Sequence, residues 1–213
     1  YDVALVVGVE KMKDRPGRGL SLEGRHPIVG RGASAPGQFA LAATRYMHER
    51  KIGREVLAAV AVKNHANGAK NPLAHLQKAV TVDAVLKAPM IAWPFGLYDC
   101  CPTTDGAAAV VLCRADRARE FSDKPVAVRG TGLAVTNGKP FLDPTFDYLG
   151  FPATVAAAAQ AYAQAGVKDP AREIDFAEVH DCFTMTEILN YEDLGFAARG
   201  EGWRMIMEGR TAL

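Results

Sequence analysis

The chain has no surplus of charge of either sign: Lys and Arg number 25 against 24 Asp and Glu, a formal net charge of +1 over 213 residues. A protein that grips a phosphate backbone draws its affinity from a basic excess, so a nucleic-acid partner is not expected. Uninterrupted apolar runs are short as well. None reaches the roughly 18 residues that span a bilayer, and the opening YDVALVVGVE lacks the basic n-region of a signal peptide. The expectation is a soluble, cytoplasmic protein without a membrane span. Cysteine is sparse, at positions 100, 101, 113 and 182. No Cys-x-x-Cys or His-Cys spacing supplies four zinc ligands, and the adjacent Cys100 and Cys101 are badly placed to bridge each other, so reduced thiols and no metal site are expected.

What is present is ordinary globular composition, 49% hydrophobic and 23% charged, at a length that allows one large or two modest domains. Asp2 to Gly8 is an apolar run closed by glycine, which predicts a fully buried strand. A domain rarely opens on its central strand, and Arg210 to Leu213 carries no polar closing tail; the chain therefore reads as the interior of a longer protein. Lys11 to Pro36, rich in glycine, proline and charge, predicts a long irregular loop. Phe39, Ala42, Ala43, Tyr46 and Met47 recur at helical spacing and predict a helix over 37–51. A second helix is expected over about 54–64, broken by Asn67-Gly68 and Asn71-Pro72, and a short third over 82–86 with Thr81 as its cap.

Further on, the run from Ala107 to Cys113 predicts a strand, as do 125–135 and 175–179. The alanine-rich 155–165 predicts a close-packed buried helix, and 184–194 another helix. Strands thus alternate with helices, which is the pattern of an α/β fold with crossover connections.

Three places could carry chemistry. His180-Asp181-Cys182-Phe183 sits where a predicted strand gives way to a predicted helix, and ligands collect at the carboxyl ends of strands in α/β folds. An imidazole there can donate a hydrogen bond to a developing oxyanion, with the helix dipole assisting; a structural histidine with Asp181 as a simple cap is the alternative. Asp99 to Gly106 sets small polar groups between apolar stretches, so that Cys101, Thr103 and Thr104 can line a pocket or merely form a turn. Neither neighbouring thiol has a histidine in local reach, which favours structural cysteine over a nucleophile. Lys63 to Pro72 concentrates amides, a cation and a histidine at a helix end: Lys63 or Lys70 could hold a ligand's phosphate, or the segment could be a C-cap and turn.

In order and separation, the blocks DVALVVGVEKM, VKNHANGAKNP, DCCPTTDGAAAVVL, DYLGFP and EVHDCFTMTEILNYEDLGF resemble the thiolase superfamily. The likeness is to its sterol carrier protein x-type branch, the lipid-transfer-protein thiolases, and to archaeal acetoacetyl-CoA thiolases. It runs over nearly the whole chain. It implies an α/β, layered αβαβα fold, here partial, with an inserted loop domain. Residues 1–119 would belong to the first thiolase half, with the loop domain at about 11–92, and 125–213 to the second half. It implies an acyl-CoA C-acyltransferase working on a coenzyme A thioester as substrate, with no permanently bound cofactor.

By the same resemblance His180 belongs to an enolate-stabilising oxyanion hole. Phe183 and Cys101 would lie against the pantetheine arm, Cys101 as a pocket residue and not a nucleophile; Lys63, from the residue reading above, is the candidate for the coenzyme A phosphates. The acyl-accepting cysteine would precede Tyr1 by around twenty residues, and the Gly-His-Pro histidine and the acid/base cysteine would follow Leu213, so this stretch alone should not catalyse the reaction. The resemblance also implies a homo-oligomer and a possible OB-fold, zinc-ribbon partner. Two other functions fit these residues. A thiolase-like retro-aldolase of a steroid side-chain CoA thioester would use Tyr191 as general acid or base, and a noncatalytic protein would only bind acyl-CoA or lipid.

Overall fold

The computed structural model describes residues 1–14, 34–136 and 143–212. They divide into two compact units, one made of Tyr1–Ser21 with Pro102–Arg129, the other of Leu22–Cys101 with Gly130–Leu213. Most of the long loop expected after the first strand, residues 15–33, lies outside the described residues.

The first unit is built on a two-stranded antiparallel ribbon. β1 (Val3–Glu10) pairs with β4 (Gly106–Cys113) in unbroken register, from Val3 opposite Cys113 to Glu10 opposite Gly106. Both strands form where apolar runs predict them, but the expected burial is absent. Every β1 residue is exposed, Val9 to 76%, because β4 is its one strand neighbour among the described residues and neither face of the ribbon is covered there.

The second unit is mostly helical. α1 (Ala35–Arg50) starts at Ser34, whose hydroxyl accepts the Gly37 N–H at 3.2 Å, and buries Ala40, Ala42, Ala43 and Tyr46 along one stripe. α2 (Arg54–Lys70) runs past the expected break at Asn67-Gly68. Gly68 is there for proximity: a Cβ on it would meet the Leu76 carbonyl oxygen at 2.7 Å. The helix stops only at Asn71, where the following proline forces extended backbone. α3 (Val82–Lys87) has the predicted Thr81 cap, its hydroxyl accepting from the Ala84 N–H at 3.2 Å. A short hairpin of β2 (Met90–Ala92) and β3 (Phe95–Gly96) leads into a helical turn at Leu97–Asp99.

The strand expected over 125–135 does not form a ladder. Its bonds go to side chains of α4 (Pro152–Ala165): Gln164 takes the Thr131 N–H at 3.3 Å and returns a bond to the Thr131 carbonyl at 2.7 Å, and Gln160 does the same for Leu133 at 3.2 Å each way. A glutamine amide has one donor and one acceptor edge, so it replaces a strand residue. Gly130 and Gly132 allow the close approach, since a Cβ on Gly132 would lie 1.8 Å from the Ala157 carbonyl oxygen. The alanine helix is not the buried one: within α4 only Ala158 is buried. Residues 175–179 follow α5 (Pro170–Glu173) without regular structure, so the strand expected there is also missing.

α6 (Thr184–Asp193) occupies the centre instead, with all ten residues buried. Ile188 and Leu189 join Tyr46, Val56, Leu57, Phe95 and Phe183 in the main core, closed on another side by α7 (Gly202–Met207) through Ile206. The polar side chains of α6 are carried in with them. Glu192 accepts from the Tyr46 hydroxyl at 2.5 Å and from the N–H groups of Gly200 and Gly202 at 2.7 and 2.9 Å. Burial, reinforced by the neighbouring carboxylate, holds the Tyr46 phenol far above its ordinary range, so it acts as a donor. Tyr46→Phe keeps the ring and removes that donor from a buried acid. Denaturant titration should show a loss of about 1.5–3 kcal/mol, and a loss below 0.5 kcal/mol would mean that the two amides suffice.

Candidate active site

The site grows from the entrance to α6. Residues 180, 181 and 182 are each held by a different part of the unit. The Asn190 amide, on α6, donates to the His180 carbonyl at 3.2 Å. The Asn64 amide, on α2, donates to the Asp181 carboxylate at 2.8 Å. The Cys101 N–H donates to the Cys182 carbonyl at 3.0 Å, next to an antiparallel bridge between Cys100 and Phe183. The DCC and HDCF blocks, some eighty residues apart in sequence, are thereby side by side.

Two buried acids fasten this arrangement from behind. Asp99 accepts from the Gly96 N–H at 2.8 Å and from the Thr184 hydroxyl at 3.0 Å, with an Arg54 guanidinium nitrogen 3.7 Å away. Burial raises its carboxyl above the usual range and those donors oppose the shift. Glu187, one turn into α6, accepts from Lys63, from the Tyr191 hydroxyl and from the Asn64 amide, the last at 2.6 Å. The Lys63 and Glu187 side chains are only 17% and 3% exposed, so this ion pair is shielded from solvent and salt. Desolvation, then the Glu187 charge, pushes the Tyr191 phenol well above its ordinary range, and it stays protonated. Asp181 is also raised, by desolvation first and Glu187 second, against the opposing pull of Lys63 and His180.

Around this network lies a cavity of about 580 Å³, a volume in the range of small-molecule sites. Lys63, Asn64, Asp181, Glu187 and Tyr191 line its polar side, and Phe176, Phe196 and Met205 contribute apolar surface. Among the described residues no cluster of three or more His, Cys, Asp and Glu has the arrangement of a metal site.

The residues singled out in the sequence fall into three groups. Lys63 and Tyr191 meet on Glu187 at the cavity wall. His180 is exposed and lies between two wall residues, Val179 and Asp181, without being among the described lining residues itself. Cys101 is exposed beside Cys182, whereas the Phe183 ring is core, stacked on Phe95 at 5.2 Å between centroids and tilted against Phe39 at 4.8 Å. All four cysteines are free. Burial raises the thiols of Cys100, Cys101 and Cys182, and Cys100 is pushed up to about 12, with Asp99 and the other two sulfurs adding to the desolvation. Sequence reasoning missed Asn64, Glu187 and Asp99. A Glu four residues before a Tyr on a predicted helix was the available signal for one of them, since positions i and i+4 share a face.

Known proteins resemble this chain in sequence and fold. Residues 143–213 match the family described as Thiolase C-terminal domain-like. An acetyl-CoA acetyltransferase of Methanothermobacter thermautotrophicus is 41% identical over 216 residues, covering all of this chain and 55% of that protein. Sterol carrier protein 2 of Gallus gallus is 31% identical over 180 residues, covering 82% of this chain and 32% of that protein. A solved structure of an Ltp2-ChsH2(DUF35) aldolase superposes on 98% of this chain and 55% of its own, with a TM-score of 0.81 and 26% identity. The chain thus spans about half the length of the acetyltransferase and of the aldolase chain that it matches. Its α/β fold is that of a thiolase over the part it covers, and on these matches the chain belongs to the thiolase superfamily, on the branch that holds acetyl-CoA acetyltransferase and sterol carrier protein 2.

Proposed function

We propose that this chain is part of an acyl-CoA C-acyltransferase that makes or cleaves a carbon-carbon bond beside a coenzyme A thioester, with His180 in an oxyanion hole. The observation that carries the reading is the junction of the DCC and HDCF blocks, which holds residues 180–182 by three independent hydrogen bonds at the entrance to a buried helix. The chemistry asks for such a fixed donor. Negative charge collects on the thioester oxygen in both the enolate and the tetrahedral intermediate, and a donor that need not reorient stabilises both more than it stabilises the substrate.

The other residues have supporting parts. Cys101, though an exposed residue, lines the approach for the pantetheine arm as a neutral thiol, because desolvation at the sulfur and then the Asp181 charge disfavour its thiolate. Phe183 anchors the motif from the core, and Lys63 closes the cavity with its ammonium on Glu187. The complete enzyme is a soluble, cytoplasmic homo-oligomer, and a DUF35-type protein such as the one named with the aldolase is its candidate partner.

One observation favours a second reading, a thiolase-like retro-aldolase acting on a CoA thioester: the likeness to an aldolase across nearly the entire chain. In that reaction the bond between the α and β carbons breaks as the β-hydroxyl loses its proton, the electron pair passes to the thioester enolate, and Tyr191 is the group that handles the proton.

In the full-length protein, His180→Ala should leave calorimetric binding of a coenzyme A thioester intact and lower turnover by about a hundredfold or more, the usual effect of losing an oxyanion donor. Unchanged turnover removes His180 from the mechanism, and binding without any turnover by the wild type points to an acyl-CoA-binding protein. Thiolysis by free coenzyme A separates the acyltransferase from the aldolase. The neutral role of the thiols has its own measurement. With a pKa of about 12, Cys100 should be alkylated by iodoacetamide at pH 8 roughly a thousandfold more slowly than an unperturbed thiol, followed by peptide mass spectrometry.

A further inference from the structure

We infer that Asn64 is a positioning residue for His180: shared between Asp181 and Glu187, its amide fixes the direction in which the imidazole leaves the chain. The inference rests on the role proposed above for His180, and it names the group that holds the ring in place.

An Asn side-chain NH₂ has two protons. Here it donates to Asp181 Oδ2 at 2.8 Å and to Glu187 Oε2 at 2.6 Å, so both are spent on carboxylates. The two acceptors differ in mobility. Glu187 is 2% exposed, sits on a helix buried along its whole length, and is held a second time through its other oxygen by Lys63 and Tyr191. Asp181 is exposed and lies outside regular structure, just ahead of the bridge at Phe183. Asn64 therefore ties this exposed segment to a rigid point, and it keeps two acids with like charge from separating there.

A single tether would leave the segment able to rotate. The second is the Asn190 amide on the His180 carbonyl, and the third is the Cys101 N–H on the Cys182 carbonyl. The second and third hold main-chain oxygens on either side of residue 181. The Asn64 bond grips the side chain between them, and with the Cys182 thiol 3.6 Å from the Thr186 hydroxyl it sets the rotation of the chain about the line joining the other two. The His180 Cα–Cβ bond follows that rotation. A catalytic donor displaced by about 1 Å can lose roughly a hundredfold in rate, which is the scale on which such a tether would matter.

The test compares Asn64→Ala, His180→Ala and the double variant in the full-length protein, with turnover of a coenzyme A thioester, thermal midpoints and the imidazole resonance of His180 in protein carrying ¹³C-labelled histidine. Asn64→Ala should lower kcat between about 10- and 100-fold with KM changed less than about threefold, and should shift the His180 resonance. In the His180→Ala background the same substitution should cost less than about twofold in kcat, because its effect passes through the ring. Losses that multiply in the double variant overturn the inference. So does an unmoved His180 resonance in folded Asn64→Ala, whatever the turnover. If His180→Ala leaves turnover unchanged, the oxyanion role fails separately and the resonance alone decides whether Asn64 positions the ring. Should Asn64→Ala not fold, Asp181→Ala replaces it, since it removes the mobile end and leaves Glu187 with all three of its donors; the same shift and the same fall in kcat are expected.

Discussion

Three carboxylates on one fully buried helix set the terms for everything packed around α6. A charge withdrawn from water is tolerated only with a complete set of partners, and breaking one of those pairs is far more costly than never having built it. Glu187, Glu192 and Asp193 each solve this with a different region. Glu187 draws Lys63 and Asn64 from α2, Glu192 draws Tyr46 from α1 and two glycine amides at the start of α7, and Asp193 accepts from the Phe151 N–H at 2.7 Å and from Arg199 at 2.6 Å. Apolar packing alone would let these elements slide against the helix. Directional bonds to fixed acids do not.

The same constraint reaches the site. Asp99, raised by burial and matched by Gly96, Thr184 and Arg54, does for the DCC segment what Glu187 does for the α2 end. Thr184 and Glu187 stand on the same helix three residues apart, so the two halves of the site are registered through the first turn of α6. For both Asp99 and Asp193 the folded state holds the proton more tightly than the unfolded chain does. Their linkage therefore favours folding in full below the ordinary carboxylate range and is lost as pH rises through their elevated values.

Helices were the most legible part of the sequence, because period and caps are local. Thr81 caps where expected, and α1, α3 and α6 lie within a few residues of their predicted bounds. Burial was read less well. The valines of β1 and β4 form strands as predicted yet are exposed, and the alanines of α4 suit a close approach by Gly130 and Gly132 more than a core. An alternating or apolar run says that a segment needs a partner, not which one; Gln160 and Gln164 replaced a neighbouring strand, and no pattern of hydrophobicity encodes that. The site divides likewise. Position 180 stood out because a motif framed it, whereas Asn64 and Glu187 became visible only when folding brought residues more than a hundred positions apart within 2.6 Å.

Tyr191 shows how much the protonation state constrains the chemistry. Its hydroxyl is committed to Glu187 and its proton is held by burial and by that negative neighbour. In this arrangement it cannot serve as a resting base. To take a proton it must first lose its own, and the acceptor bonded to it is a carboxylate already paired with Lys63. A phenol so reluctant to ionise is a weak acid as well, but its conjugate base would be strong, which is the property an aldol cleavage would use if substrate displaced Glu187 from the hydroxyl. The acyltransferase chemistry makes no such demand, since a hydrogen bond from His180 to an oxyanion leaves Tyr191 as it stands. The two reactions thus differ in whether the Tyr191–Glu187 bond must open, and that bond is one of three on the carboxylate that also anchors Asn64. An aldolase built on this site would have to free the Tyr191 hydroxyl from one Glu187 oxygen, with Lys63 still on that oxygen and Asn64 still on the other, whereas an acyltransferase would use the network as it stands.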